Sequence, residues 1–540
     1  MKPFSIIAIL SALALQGLHA QQADAGPKDV TDSSSSNVEH KVQQKKKRTL
    51  IPTASGPSTP TPLAEPVPVV QNSSLVKVNA TSQAFSLHLP WQKESPSGRR
   101  GLGVVLAGNR VLVTAQMAAD ATYIELELPD SGQKIPAKAI AVDYEANLAL
   151  LECPPSDRQK AFFAALKPMA VDASARIGDS VAILQTGRVG ELIKNPLRIS
   201  KVLTRRYIVE GSGFLVYEAT GIIRSEANSF TLPVVKGNKL AGLLLSYDSK
   251  NQVTTILPAP IIEHFLKDVA DGSYEGFPGL GMEFQTTQDE QLRDFLSLKP
   301  GEPGVLITAV VKGASAEKAG MKKNDILVSI NGFGIDARGD YKDPQYGALS
   351  AGHLIRGRAY VGEKVEIKVL REGKEVTLNG QLTRKKPEDH LVLPYLFDKG
   401  PRYILMGGLL FQELSRPYLD AFGEDQRGGA ILRLAYVASH PEEYEKSGRK
   451  KLVFLSLVLP TPSAQGYDKL GGQVVNKVNG KVINDLNDVS DAFKNNKGTT
   501  HVIELNDFPH VIYLDGFNAE RDNMKLLGGA YRIGSLRRLE

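Results

Sequence analysis

From Ser74 to about Asp268 the apolar residues come in short runs cut by Gly, Asn and Asp, the pattern of strands joined by tight turns. Gly103-Val-Val-Leu-Ala107, Tyr123-Ile-Glu-Leu-Glu-Leu128, Ser180-Val-Ala-Ile-Leu184 and Ala241-Gly-Leu-Leu-Leu245 are examples, and together they predict an all-β barrel or sandwich. The period then changes. Ile261, Ile262, Phe265 and Leu266 share one helical face behind Pro260, which suits a first turn. Two further stretches, about 274–385 and 390–540, mix strand runs with short helical ones and echo each other. Leu327-Val-Ser-Ile-Asn-Gly332 returns as Val474-Val-Asn-Lys-Val-Asn-Gly480, an internal repeat of one fold unit. Gly423 to Lys451, rich in Gly and charge, reads as an exposed excursion.

The first 73 residues break this pattern. Met1–Ala20 has Lys2, an apolar core from Phe4 to Leu15 and small residues before a cleavage point, which reads as a secretory signal peptide. Its apolar run is too short to span a bilayer, so no transmembrane segment is expected in the mature chain. Residues 21–73 are rich in Ser, Pro, Thr, Gln and Lys without apolar periodicity, a disordered tether. The run Lys45–Arg48 within it reads as solvated charge. Export is expected, to the periplasm if the source is a Gram-negative bacterium.

Composition changes the picture little. A length of 540 residues allows about three to four domains. The net charge of +6 is spread too thinly to argue for nucleic-acid binding. A single cysteine, Cys153, excludes an intrachain disulfide framework and a Cys-rich metal site. Its apolar surroundings predict a buried thiol. No cofactor or metal is expected.

Candidate chemistry concentrates in Val111-Leu-Val-Thr-Ala-Gln-Met-Ala-Ala-Asp-Ala121. This stretch resembles the segment that carries the catalytic histidine of trypsin-like serine proteases of the HtrA/Deg family. Asn147-Leu-Ala-Leu-Leu151, Ile177-Gly-Asp-Ser-Val-Ala-Ile183 and Ile256-Leu-Pro-Ala-Pro-Ile261 extend the resemblance across the region. It implies a trypsin-like double barrel over 74–270. In the histidine's place stands Gln116, or Met117 if the register slides by one, and Asn147 stands in place of the aspartate. The serine's motif is matched by Ala227-Asn-Ser-Phe-Thr231 without its glycines, with Ser229 as the remaining hydroxyl. An amide or thioether cannot take a proton from serine near neutral pH, and a Phe-Thr pair disfavours the tight turn of an oxyanion hole. The triad positions Gln116, Asn147 and Ser229 therefore read as degenerate.

Gly276-Phe-Pro-Gly-Leu-Gly-Met-Glu-Phe284, followed by Gly304–Val310, Gly313–Met321, Asn324–Gly332 and Gly362–Arg371, resembles a PDZ domain over 274–385. Gly279, Leu280 and Gly281 would turn successive N–H groups toward a peptide carboxylate. The strand from Met282 would take the peptide by β-augmentation. A helix before Gly362, carrying Leu349, Leu354 and Ile355, would form the other wall. Residues 390–540, with Tyr403–Phe411 mirroring the loop and strand, resemble the divergent second PDZ domain of plant-type Deg proteases, which implies a role in assembly. The expected fold is thus mostly β, a trypsin-like double β-barrel followed by two PDZ-like α+β domains. The expected function is that of an inactive HtrA/Deg homologue. It would bind unfolded or C-terminal peptide segments, as a homo-oligomeric scaffold or chaperone-like adaptor in envelope protein quality control. The alternative is an active serine endopeptidase using a rearranged site around Ser229.

Overall fold

The computed structural model describes residues 74–187, 191–207, 209, 213–223, 230–422 and 428–540. The signal peptide and tether read at 1–73, and Ser229, lie outside them. Two closed six-stranded barrels come first. The first contains β1 (Leu75–Ser82), β2 (Ser97–Leu106), β3 (Arg110–Val113), β4 (Ala121–Glu127), β5 (Lys134–Asp143) and β6 (Leu148–Glu152). Around the barrel they run β1-β2-β3-β6-β5-β4, and β4 pairs back on β1 to close it. The second repeats the plan with β7 (Ser180–Thr186), β8 (Leu192–Arg206), β9 (Gly213–Thr220), β10 (Pro233–Lys236), β11 (Lys239–Asp248) and β12 (Val253–Pro258). Closure removes exposed strand edges. Where the strands crowd, only glycine fits: a Cβ on Gly103 would lie 2.4 Å from a Val111 methyl. Between β3 and β4 a single helical turn, α1 (Ala115–Ala118), carries Gln116 and Met117. Helix α2 (Ala259–Asp268) closes the barrels, with Ile261, Ile262 and Phe265 fully buried. Cys153 is buried too.

The next sheet runs in the order β13 (Met282–Gln285), β14 (Val305–Val310), β15 (Ile326–Ile330), β19 (Lys364–Arg371), β20 (Lys374–Gln381), with a short β16 (Phe333–Gly334) beside β15. Strand β13 forms its edge. A hairpin of β17 (Asp340–Asp343) and β18 (Gly347–Ser350) leads into helix α3 (Gly352–Arg356). The expected wall helix is therefore shorter than its apolar pattern implies. Leu349 belongs to β18, opposite Tyr341, because Gly347, Gly352 and Gly357 confine helical structure to five residues.

This hairpin and helix lie against the second barrel. The hydroxyls of Tyr217 and Tyr346 meet at 3.1 Å. The His264 imidazole stacks between Phe277 and Tyr360, with Nε2 2.8 Å from the Ala359 carbonyl. One continuous buried cluster runs from Leu243 and Phe265 of the barrel region to Leu354 and Ile367. The barrel and the third unit thus share a core.

His353 of α3 is part of this junction, 5% exposed, with Nδ1 lacking a hydrogen-bond partner. Burial pushes its imidazole down to about 4, with Asp343 opposing and Arg358 reinforcing. An unfolded histidine titrates near 6.5. As pH falls from about 6.5 toward 4, the unfolded chain binds a proton that the folded one refuses, so stability drops across that window. Full titration of such a difference is worth roughly 3 kcal/mol. Urea unfolding midpoints at pH 7.5 and pH 4.5 are expected to lie closer together in His353→Phe than in the wild type.

The last unit forms a sheet ordered β27 (Val511–Asp515), β26 (Thr500–Leu505), β24 (Gln473–Val478), β23 (Val453–Val458), β22 (Leu409–Glu413), β21 (Tyr403–Met406), β28 (Arg537–Arg538), with β25 (Lys481–Val482) pairing β24. Gly407 and Gly408 turn β21 back onto β22, so Met406 faces Leu409. The β22 edge, counterpart of the open β13 edge, is filled by the chain's own strand. The insert that reads as an exposed excursion instead folds into α4 (Gly429–Ser439) and α5 (Pro441–Glu445). Ile431, Leu434 and Val437 recur at helical spacing and bury against Tyr418 and Phe454. Residues 423–427 lie outside the described ones.

The segment between β1 and β2 clasps this unit. Trp91 Nε1 donates to the Tyr531 carbonyl at 3.0 Å, and Arg538 donates to the Pro90 carbonyl at 2.9 Å while covering the Phe85 ring. His88 packs edge-on against Tyr418 and Phe422. No helix among the described residues is long and apolar enough to cross a membrane.

Candidate functional site

Two places bear on function, the cleft beside α1 and the glycine loop before β13. At the first, Thr114 precedes α1 and donates through Oγ1 to the Phe230 carbonyl at 2.6 Å. The Phe230 N–H donates to the Arg100 carbonyl at 3.0 Å. These bonds hold the chain just after Ser229 against the start of α1. The Gln116 N–H donates to Asn147 Oδ1 at 3.3 Å, so the structure brings these two sequence-selected residues together. Asn147 is buried and holds a left-handed φ of 55° in the turn between β5 and β6, a conformation asparagine tolerates well. Met117, the other reading of the histidine position, is fully buried, which leaves Gln116 as the half-buried residue of the turn.

A cation occupies this region. Arg99 donates through Nη1 to the carbonyls of Gln116 and of Ala119, the latter at 2.8 Å. Its guanidinium lies 5.7 Å from the centre of the Phe230 ring. Burial pulls its pKa down, with Asp120 the largest opposing charge. Asp120 and Asp398 exchange backbone-to-carboxylate hydrogen bonds of 2.8 Å in both directions. Tyr144 donates to the same Asp398 carboxylate. Burial raises the Asp120 carboxyl. Among the described residues, the two histidines of the barrel region, His88 and His264, are both engaged in aromatic packing elsewhere. Neither an amide nor a guanidinium can act as a general base near neutral pH.

At the second place the loop is built from the inside. Ser315 Oγ donates to the Gly279 carbonyl at 2.7 Å, Ala316 N–H to the Leu280 carbonyl at 2.9 Å and Val311 N–H to the Gly281 carbonyl at 2.8 Å. Every carbonyl of the loop is thereby turned inward, while the Leu280 and Gly281 N–H groups take part in none of these bonds. Gly281 adopts φ +70°, and a Cβ there would lie 2.2 Å from that of Ala314. Met282 is half-buried, and Glu283, Phe284 and Gln285 are exposed along the sheet edge. Leu354, expected to line the opposite wall, is 4% exposed and sits in the shared core. N–H groups of a glycine loop leading into an open edge strand are the geometry to which an extended peptide can be added.

A buried ionic cluster ties the two places together. Arg384, just after β20, lies 3.1 Å from Glu145 and 3.5 Å from Asp143, both in the β5–β6 region. Arg356 bonds Glu145 at 2.7 Å, and Tyr274 donates to Asp143. Burial opposes charge on Glu145, but the two guanidiniums outweigh it and hold its carboxyl below the usual range. Asp143, fully buried, is pushed up. Sequence patterns miss Arg99, whose partners are backbone carbonyls that carry no residue signature, and miss Asp398 and this cluster, whose partners lie more than a hundred positions away and leave no spacing signal. Among the described residues no group of three or more His, Cys, Asp or Glu side chains could hold a metal.

Comparisons agree with this architecture. Residues 278–382 and 392–537 each match a PDZ domain family. Two Arabidopsis thaliana proteins, the putative mitochondrial protease Do-like 3 and the mitochondrial protease Do-like 4, are each 28% identical. Each alignment covers 77% of this chain, and 70% and 75% of the relatives respectively. A solved HtrA-type protease, AlgW with a decapeptide, is similar at 17% identity and a TM-score of 0.44, over 59% of this chain and 97% of that one. Two PDZ domains behind paired trypsin-like barrels, in a chain aligned through most of its length with Do-like proteases, place it in the HtrA/Deg family.

Proposed function

We propose that this chain is an exported, proteolytically inactive HtrA/Deg homologue. It binds peptides through its first PDZ domain and serves as a scaffold or chaperone-like adaptor in protein quality control of the cell envelope. The observation that carries the reading is the chemistry around α1. Gln116 and Asn147 stand at two triad positions, bonded to each other, with the Arg99 cation on the carbonyls of the same turn. A fixed positive charge beside the base position opposes the imidazolium that serine-protease chemistry must form. The glycine loop and the exposed β13 edge support the peptide-binding half of the reading. The second PDZ domain, with its β22 edge filled by β21, is better suited to assembly of a homo-oligomer than to capture of free peptides.

The test is capture by the full chain of a labelled peptide with a free C terminus. Gly281→Val forces a Cβ into Ala314 and distorts the N–H nest. A charge-assisted hydrogen bond is worth about 1.5–3 kcal/mol, so affinity is expected to fall at least roughly tenfold. C-terminal amidation should weaken binding to the wild type in the same way. Equal affinity for free-acid and amidated peptides, unchanged in Gly281→Val, would refute the reading.

A further inference from the structure

Between the glycine loop of the first PDZ domain and the insert of the second lies a cavity of about 730 Å³. Its walls carry eight Lys and Arg side chains against four carboxylates. Most of the negative charge is already engaged. Glu145 is bound to Arg356 and Arg384, Glu445 lies 3.5 Å from Lys385, and Glu388 lies 3.6 Å from Lys399. The fourth, Asp389, accepts the Lys386 N–H at 3.2 Å. Lys312, Lys318, Arg449, Lys450 and Lys451 have no carboxylate within 4 Å among the described residues.

Two of these five are half-buried. The Arg449 guanidinium donates to the Val475 carbonyl at 3.0 Å and to Asn476 Oδ1 at 2.6 Å. Lys451 Nζ donates to the carbonyls of Glu388 and of His390, the latter at 2.7 Å. Burial pulls both cations down from their usual values. The neighbouring His390 imidazole is pushed down to about 4 by burial, with Lys385 adding to the effect. A partly buried cation whose hydrogen bonds go to neutral dipoles is costly, and an anion entering the cavity would offset that cost.

The same cavity receives the end of the peptide groove. Gly279 and Gly281 form part of its wall, and an Arg356 nitrogen lies 3.6 Å from where a Gly279 Cβ would sit. A peptide antiparallel to β13 would bring its terminus to this loop, because β13 runs away from it. The space is large for one carboxylate and suits a terminus with a charged side chain beside it.

We propose that this cavity reads a second negative charge at the end of a bound peptide, so that the protein selects C termini whose last residues are Asp or Glu. The proposal rests on the reading of the first PDZ domain as a C-terminal peptide site.

The experiment compares two labelled peptides on the full chain, identical except that one ends in Val-Val and the other in Asp-Asp. Each is also made as the amide. The acidic free acid is expected to bind about tenfold tighter, the worth of one charge-assisted hydrogen bond, and the advantage should shrink with added salt. The double variant Lys312→Glu, Lys450→Glu changes only exposed side chains, so it tests the charge without threatening the fold. It is expected to remove the preference by lowering Asp-Asp affinity more than Val-Val affinity, and Arg449→Met should shift the ratio the same way. Equal binding of both free acids, or a preference that survives the double charge reversal, overturns the inference while leaving the peptide-binding reading intact. Amides that bind as well as free acids overturn both.

Discussion

Purified full-length protein is expected to leave a fluorophosphonate probe unreacted and an unfolded protein substrate uncut over hours of incubation. The serine of a trypsin-like site becomes nucleophilic only when a base within hydrogen-bond reach takes its proton. In subtilisin, loss of the serine or the histidine alone lowers turnover by roughly 10⁶. On the proposed reading the base position holds the Gln116 amide, and Asn147 has no charge with which to stabilise an imidazolium. The Arg99 guanidinium adds a cation on the backbone carbonyls of the same turn. An endopeptidase using a rearranged site would behave otherwise. Stoichiometric labelling by the probe, lost in Ser229→Ala, would establish that alternative and end the scaffold reading.

The second large effect concerns stability. Arg384 is the cation that reaches both Asp143 and Glu145, while Arg356 reaches Glu145 alone. Arg384→Met should keep most of the side chain's volume and leave two buried carboxylates with one guanidinium. Removing one partner from a buried ionic group costs about 3–5 kcal/mol, because the remaining charge is desolvated without compensation. Urea denaturation near neutral pH is expected to show a loss of that order. The deficit should narrow in acid, because a protonated carboxyl no longer needs the missing cation. A loss that stays constant from pH 7 to pH 4 would assign the effect to packing. The first barrel and the first PDZ domain are joined through this cluster, so the variant should also loosen their docking, visible as faster proteolytic nicking between 385 and 402.

Several elements could be read from local pattern. The apolar runs Ser180–Leu184 and Ala241–Leu245 are strand signals that short-range physics enforces, and both lie within barrel strands, β7 and β11. Ile261, Ile262 and Phe265 marked the buried face of α2. Other parts were not legible. The apolar residues around Leu349 to Ile355 fit a helical count, yet glycines and the pairing with Tyr341 made the first of them a strand. The glycine and charge of 423–451 suggested solvent exposure, while Ile431, Leu434 and Val437 found a core only because Tyr418 and Phe454 came to them.

The chain by itself determined a strand-rich region and the apolar face of its closing helix, which depend on residue type and near-neighbour spacing, while the double barrel and the PDZ-like units followed from resemblance to a known family. Only the tertiary structure decided which cations lack carboxylates, which sheet edge stays open and how the first PDZ domain shares a core with the second barrel. Those properties belong to distances between residues hundreds of positions apart. Burial strengthens a charge's need for a partner, and burial exists only once the chain has closed around it.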